Sequence, residues 1–374
     1  MVLRALARVN VAAIERNCRR LAAAVAPAAL CAVVKADGYG HGALHAARAA
    51  QAGGASWLAV ATPGEAAALR AGGVEGRLLV MGALSAEELP AAVAARADVV
   101  AWREAFVAAL ATLPGAAGTG VHVKLDTGMG RLGTRDPAEA NAVARAVAAE
   151  PRLRLAGAMT HFATADDDPA FVEEQLGRFD PWARALQTAH PGLIVHAANS
   201  AAGLAAPATR YDLVRCGIAV YGMDPFHRDP ADHGLEPALS LHTYVAEVKR
   251  CRPGESAGYG RRFVAAVPTW LGTLPVGYGD GVRRGLTNRA DVLVDGRRVP
   301  FAGTVSMDNI TVNLGDAPAE PPLRGAPAVM IGRQGGERIL AEELAQLLGT
   351  INYEITCGLS ARVPREHHRD GEPA

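Results

Sequence analysis

Paired cysteines are missing from this chain. The five present (Cys18, Cys31, Cys216, Cys251 and Cys357) are odd in number, scattered, and form no C-x-x-C. That pattern points away from a disulfide framework and from a zinc or other metal site. Long apolar runs are missing as well. Half of the 374 residues are hydrophobic, yet no uninterrupted run reaches membrane-spanning length. Much of that count is alanine, which forms helices more than it seeks membranes. Excess charge is absent, with Lys+Arg and Asp+Glu at 38 each, so neither a nucleic-acid nor a membrane surface is advertised. The first residues, Met1 to Val9, hold no long apolar core before a cleavage site. They read as mature protein, hence cytoplasmic. Without a secretion signal, the glycosylation-type triplet Asn309-Ile310-Thr311 carries no meaning. Gly38-x-Gly40-x-Gly42 lacks the spacing of the dinucleotide fingerprint, and no G-x-x-x-x-G-K-[ST] phosphate loop occurs. There is no internal repeat.

What is present is a rhythm. Strand-like segments at 30–34, 57–61, 78–81, 99–100, 121–125, 155–159, 193–196 and 213–214 alternate with helical stretches such as 10–26, 42–52, 64–71, 103–113 and 169–188. Ser85-Ala86-Glu87-Glu88 has the spacing of a capping box. About eight alternations argue for parallel strands joined by crossover helices. An eight-fold (β/α)8 barrel fits, with a doubly wound open sheet as its rival. Lys35, Lys124, His161, Asn199-Ser200 and Arg215 all fall at or just after predicted strand ends. Barrel enzymes assemble their sites from many strand ends, whereas an open sheet concentrates its site at one switch point. After about residue 236 the helical rhythm stops. Short segments at 241–248, 269–274, 292–294, 311–312 and 328–331 appear between Gly and Pro, with one helix at 341–348. The expectation is an α/β protein with a barrel domain over 1–236 and a mostly β domain over 237–374. The polar tail, 367–374, reads as frayed.

The densest stretch is Ala32-Val33-Val34-Lys35-Ala36-Asp37-Gly38-Tyr39-Gly40-His41-Gly42. A buried strand delivers one lysine to its end. A desolvated lysine sheds its proton readily and can act as a nucleophile or imine-forming amine. The competing reading is a lysine that snorkels at a strand end. Val123-Lys124-Leu125-Asp126-Thr127-Gly128-Met129-Gly130-Arg131-Leu132-Gly133 is a second strand running into a turn with two cations. Taken alone it reads equally as a flexible loop with solvated charges. Met159-Thr160-His161 follows a third strand, and Ser256-Ala257-Gly258-Tyr259-Gly260 lies in the β region.

Together these motifs closely resemble the alanine racemase family, in order and almost to the C-terminus. Ser306-Met307-Asp308, Gly277-Tyr278-Gly279-Asp280-Gly281, Ile351-Asn352-Tyr353-Glu354 and Arg362-Val363-Pro364-Arg365 continue the match. The resemblance implies pyridoxal 5'-phosphate (PLP) carried as an imine on Lys35. It implies Tyr39, Ser200, Gly217, Ile218 and Tyr353 on the phosphate, with Asn199 among the cofactor contacts and Arg215 facing the pyridine nitrogen. An arginine stays charged and cannot protonate that nitrogen, so the ring is a weaker electron sink and reprotonation is favoured over transamination. Arg131 would reach the substrate carboxylate, which suits a planar guanidinium. Lys124 would carry a carbamate that orients Arg131. The loop with Met307 and Asp308 would line the substrate site across the dimer, with the Met307 backbone N–H on the carboxylate, and Tyr278 would narrow the entry. Racemisation needs a base on each face of the α-carbon. Lys35 and Tyr259 from a second copy would supply them, which implies a homodimer with shared active sites. Tyrosine ionises near pH ~10, and the implied help is a hydrogen-bond chain through His161 to Arg215. Two positions depart from the family's commoner residues: Ser306 for cysteine and Gly279 for alanine.

The implied activity is interconversion of L- and D-alanine, serving peptidoglycan supply or alanine catabolism. The rivals are a racemase of another amino acid such as serine, a non-catalytic PLP-binding protein, and a PLP decarboxylase. The second lacks a β domain, and the third usually has an acid where this chain has Arg215.

Overall fold

The structure is a computed structural model describing residues 3–316 and 324–374. It divides into two compact units. One runs from Ile14 to Phe226, and the other joins the amino-terminal residues up to Ala13 with His227–Ala374.

Strand β1 (Leu6–Asn10) belongs to the second unit. The first unit contains β2 (Ala29–Val33), β3 (Trp57–Val60), β4 (Arg77–Val80), β5 (Asp98–Ala101), β6 (Thr119–Lys124), β7 (Leu153–Met159), β8 (Ile194–His196) and β9 (Leu213–Cys216). They lie in the order β8-β7-β6-β5-β4-β3-β2-β9, every pair parallel. Between β9 and β8 the Asp212 N–H donates to the Val195 carbonyl (3.0 Å) and the Arg215 N–H to Ala198 (3.0 Å), which draws the ring together. This is the (β/α)8 barrel expected from the alternation, not the open sheet.

The strand sequences explain it. WLAV of β3 is buried at every residue, as a strand covered on both faces should be. The alanine-rich helices between strands start on recognisable caps. Thr62, Asp136 and Asp168 cap helices Pro63–Ala71, Pro137–Ala149 and Pro169–Ala189. Each helix opens on proline, whose missing N–H costs nothing there. Asn10 caps Val11–Val25 through the Ala12 N–H (3.1 Å). Among the described residues no helix is long and apolar enough to cross a membrane.

The second unit is mostly β. Its strands are β10 (Leu239–Tyr244), β11 (Glu247–Cys251), β12 (Ser256–Ala257), β13 (Phe263–Val264), β14 (Thr269–Leu274), β15 (Asp291–Val294), β16 (Arg297–Pro300), β17 (Ile310–Asp316), β18 (Pro327–Gln334), β19 (Glu337–Ile339), β20 (Arg365–Arg369) and β21 (Glu372–Pro373). The large sheet runs β16-β15-β18-β10-β1-β20-β21, with β11-β14-β17 as a second sheet. Helices Ala341–Leu348 and Asn352–Cys357 accompany them.

Two expectations need correction. The segment 241–248 is not one strand. It divides at Val245-Ala246 into β10 and β11, which join different sheets. Nor is the tail frayed. β20 pairs in parallel with β1, and β21 folds back on β20. Polar side chains do not prevent this, because the pairing is made by backbone groups. Arg8 and Glu366 add a 2.8 Å ion pair across the two strands.

Candidate active site

Lys35 stands where β2 ends. The chain there turns with the wrong hand. Ala36, Asp37 and Gly38 have φ of 52°, 52° and 61°, and Tyr39 follows at 53°. A left-handed turn costs about 1–2 kcal/mol for each residue with a Cβ. Specific bonds hold it. The Glu65 carboxylate accepts the Ala36 N–H (2.6 Å) with one oxygen and the Ala61 (2.8 Å) and Thr62 (3.1 Å) N–H groups with the other. Asp37 accepts the Ala43 N–H (2.9 Å). The Tyr39 ring packs on Tyr221 at 5.1 Å, and the Tyr221 hydroxyl donates to the Val33 carbonyl (3.0 Å). Lys35 is left half-buried on a braced corner.

Arg215, in β9, is buried and meets no carboxylate among the described residues. Its guanidinium donates to the carbonyls of Thr160 (2.9 Å) and Ala197 (2.9 Å), to His196 Nδ1 (2.8 Å) and to His161 Nδ1 (3.1 Å). Its Nε–H has no acceptor among the described residues. Burial lowers the guanidinium to about 10, so it stays charged at neutral pH. An arginine has only donors. His161 therefore accepts at Nδ1 and carries its proton on Nε2. Burial, then the charges of Arg215, Lys124, Arg131 and Lys35, hold His161 well below the usual histidine range. Four cations from three strand ends thus surround one neutral imidazole. Lys124 itself is pushed down to about 8, first by burial and then by Arg215 and Arg131.

Asp126 shapes the loop that carries Arg131. Its carboxylate accepts the N–H groups of Gly128 (3.1 Å) and Gly130 (3.0 Å), and Arg135 donates to it (3.2 Å). Arg131 is exposed. Ser200 opens helix Ser200–Ala205, whose cap is the Asn199 side chain on the Ala202 N–H (3.0 Å). The Ser200 hydroxyl accepts the Gly217 N–H (2.9 Å), and Ile218 begins the short turn that follows. A Cβ on Gly217 would sit 2.3 Å from the Tyr39 hydroxyl. Tyr39, Ser200, Gly217 and Ile218 therefore share one corner, at helix and turn starts where backbone N–H groups lack helical acceptors.

The remaining candidates lie on the second unit. Tyr259 is 74% exposed, and its carbonyl accepts the Thr304 hydroxyl (2.6 Å). Tyr278 and Met307 are exposed and adjacent. The N–H groups of Tyr278 and Gly279 donate to the carbonyls of Ser306 (3.0 Å) and Met307 (2.9 Å). Asp308 accepts from Arg362 (2.7 Å), which ties this loop to the chain near Ser360. Tyr353 is half-buried, its ring edge-on to His227 at 6.5 Å.

Sequence reasoning missed Glu65, Gln175, Asp98, His122 and His196. Gln175, fully buried, donates to Thr127 Oγ1 (3.1 Å) and the His161 carbonyl (3.1 Å) and accepts the Ala163 N–H (2.8 Å). It ties the Arg131 loop to the His161 loop. The signal for the histidines was there. A histidine inside a valine-rich parallel strand, as in VHVK and IVH, has both faces covered and must find partners. Among the described residues, no cluster of His, Cys, Asp and Glu could hold a metal ion.

Fold and site define a (β/α)8-barrel enzyme that presents a lysine amine among buried cations. Comparison with known proteins narrows this. The family models for the alanine racemase N-terminal and C-terminal domains match residues 9–225 and 238–367. The chain is 42% identical to alanine racemase 1 of Bacillus subtilis, covering 91% of this chain and 87% of that one. It is 42% identical to the alanine racemase of Symbiobacterium thermophilum, covering 96% of each. The crystal structure of alanine racemase from Streptomyces lavendulae superposes with a TM-score of 0.91 at 37% identity, covering 98% of both chains. The chain belongs to the alanine racemase family, and it is an enzyme of that kind, an isomerase. The family is known as PLP-dependent.

Proposed function

We propose that this enzyme interconverts L- and D-alanine by a two-base route with PLP as its cofactor. Lys35 serves one face of the substrate α-carbon and Tyr259 of the partner subunit the other, in a homodimer with shared active sites. The observation that carries the reading is the ring of Lys35, Lys124, Arg131 and Arg215 about His161. That much positive charge suits a phosphate and a substrate carboxylate.

The chain's own residues fit the cofactor. Tyr39, Ser200, Gly217, Ile218 and Tyr353 would hold its phosphate, with Asn199 among the cofactor contacts. The open Nε–H of Arg215 suits a pyridine nitrogen that carries no proton. When bound, PLP supplies an electron-withdrawing ring that acidifies the α-hydrogen of the amino acid joined to it. Lys35 would hold PLP covalently between turnovers, then take or return the proton on its face. Arg131 would orient the substrate carboxylate, assisted across the dimer by the backbone N–H of Met307 of the partner subunit, while Tyr278 narrows the entry. His161, with its proton on Nε2, is a donor. It can stabilise the ionised form of a tyrosine but cannot take that tyrosine's proton. Lys124, pushed down to about 8, has enough neutral amine near neutral pH to add CO2 with release of a proton. The resulting carbamate would give Arg131 an anionic partner. The supporting roles are D-alanine supply for peptidoglycan or alanine catabolism, in the cytoplasm.

The test uses purified enzyme with added PLP, a panel of single L-amino acids, and chiral chromatography. D-alanine should dominate. Lys35→Ala should carry no covalent PLP by intact mass. Tyr259→Phe should keep the cofactor and lose roughly 10²–10⁴-fold in racemisation. Full activity of Tyr259→Phe in both directions would overturn the two-base assignment.

A further inference from the structure

The buried polar groups that racemisation leaves unused lie in a line through the barrel. Asp98 opens β5, at the end of the barrel opposite Lys35. Its Oδ2 lies 3.5 Å from His122 Nε2. His122 Nδ1 is 2.8 Å from His196 Nε2, and His196 Nδ1 is 2.8 Å from the Arg215 guanidinium.

Only one proton order satisfies this line. Arg215 can only donate, so His196 accepts at Nδ1 and is protonated on Nε2. That N–H donates to His122 Nδ1. His122 then carries its own proton on Nε2, which makes no hydrogen bond among the described residues but lies at ion-pair distance from the Asp98 carboxylate. The order dictated from the arginine end therefore puts an N–H, not a lone pair, on the side of the carboxylate. Burial, then Arg215, His122 and Lys124, hold His196 well below the usual histidine range. Burial opposes the Asp98 charge, but His122 and Arg154 together outweigh it and hold the carboxyl below its usual range.

The backbone makes room for the line. A Cβ on Gly157, in the middle of β7, would lie 2.3 Å from His122 Nδ1. One on Gly120, in β6, would lie 2.4 Å from Asp98 Oδ1, which accepts the Gly120 N–H (3.0 Å). Glycine inside a strand is destabilising and marks a close approach. Barrel interiors are ordinarily filled with branched aliphatic side chains, so imidazoles in their place call for a reason.

We infer that Asp98, His122 and His196 are positioning residues: a hydrogen-bond chain of one direction through His122 and His196, with the Asp98 carboxylate at ion-pair distance from its far end, fixes the Arg215 guanidinium. Through Arg215 the chain also keeps His161 an acceptor at Nδ1 and a donor at Nε2. Were the chain reversed, His196 would turn an N–H toward Arg215, and two donors would face each other in the barrel core. The charged and titratable groups facing it are Arg154 and His122 on Asp98, Asp98 on His122, Arg215, His122 and Lys124 on His196, and Arg215, Lys124, Arg131 and Lys35 on His161.

The kinetic half of the test rests on the racemase reading, and the spectroscopic half does not. In 15N-histidine-labelled holoenzyme, assigned with single-site variants, long-range 1H–15N correlation reports each ring's tautomer. His161 and His196 should be neutral with the proton on Nε2 between about pH 6 and 9, and His122 should accept at Nδ1. A proton on Nδ1 in any of the three overturns the inference, as does a titration of His161 or His196 in that range. His122→Phe keeps a ring in place but removes the acceptor. It should move the His196 Nε2 shift, whose N–H loses its partner, and lower kcat by roughly 10- to 100-fold, with KM for alanine within about twofold, since Arg131 lies off the chain. His122→Asn, which returns an acceptor oxygen near the Nδ1 position, should recover most of the loss. Asp98→Ala should move the His122 Nε2 shift and lower kcat less, and it serves if the phenylalanine variant does not fold. Unchanged ring shifts and kcat in a folded variant sink the inference. A wild-type enzyme that racemises nothing counts against the racemase reading alone.

Discussion

Lys124 is 4% exposed, and its ammonium is pushed down to about 8 by burial and by Arg215 and Arg131, against the pull of Asp126. The sign of its effect on stability follows. Below about pH 8 the folded protein carries a charged amine in a place that disfavours it. As pH rises through about 8 toward the ordinary lysine value of ~10.4, that cost fades. In CO2-free buffer at about pH 6.5, Lys124→Met should raise Tm, and the gain should vanish near pH ~10. With bicarbonate at about pH 8 the wild type should melt higher, because a carbamate pairs with Arg131. Calorimetry under the three conditions checks this; a gain independent of pH would assign the effect to packing. Gly279 is also decided by its neighbours. A Cβ there would lie 2.3 Å from the Arg362 guanidinium, so the smaller residue suits the arginine that grips Asp308. Nothing in the structure explains Ser306. At this scale the sequence showed which side chains were costly to bury, but not their protonation, which depends on neighbours brought in by folding.

The left-handed turn after β2 is the element on which the site hangs. Its lysine was legible because the apolar run ends on it, and its glycines marked a turn. The hand of the turn was not legible, since Ala36 and Asp37 do not favour positive φ. Nor was the agent that enforces it. Glu65 belongs to the next βα unit, where it also forms a capping box with Thr62. The box anticipated at Ser85 is only half made. Glu88 accepts the Ser85 N–H (2.9 Å), but the helix proper begins at Leu89. Glu65→Ala removes one cap and the acceptor of three N–H groups. It should destabilise the protein by about 2–3 kcal/mol in urea titration and speed hydrogen exchange at the Ala36 amide. Unchanged exchange there would mean the turn holds its hand without Glu65.

At the scale of the whole molecule, the proposed sharing of active sites has a distinctive consequence. Lys35→Ala and Tyr259→Phe subunits should each be nearly inactive alone. A mixed dimer of the two contains one site with both Lys35 and Tyr259 intact. Random mixing should therefore restore about a quarter of wild-type activity, measured as D-alanine after denaturation and co-refolding. No recovery in verified heterodimers would place Tyr259 outside its partner's site. The exposure of Tyr259, Tyr278, Met307 and Ile351 on the second unit is what such sharing calls for, since exposed apolar groups of this size are commonly covered by a partner.

The alternation of apolar strands with capped, alanine-rich helices determined the barrel, because each strand–helix unit is local and its periodicity is written in consecutive residues. The placement of Lys35, Lys124, His161 and Arg215 at strand ends followed from the same pattern. Only the tertiary structure decided what lies between them. His122 and His196 are 74 residues apart in sequence, and nothing local pairs them. Closing the barrel brings them within hydrogen-bond distance and leaves one order for their protons. The tail was misjudged for the same reason. Residues 365–369 are polar, and only the arrival of β1 from the far end of the chain gives their backbone a partner.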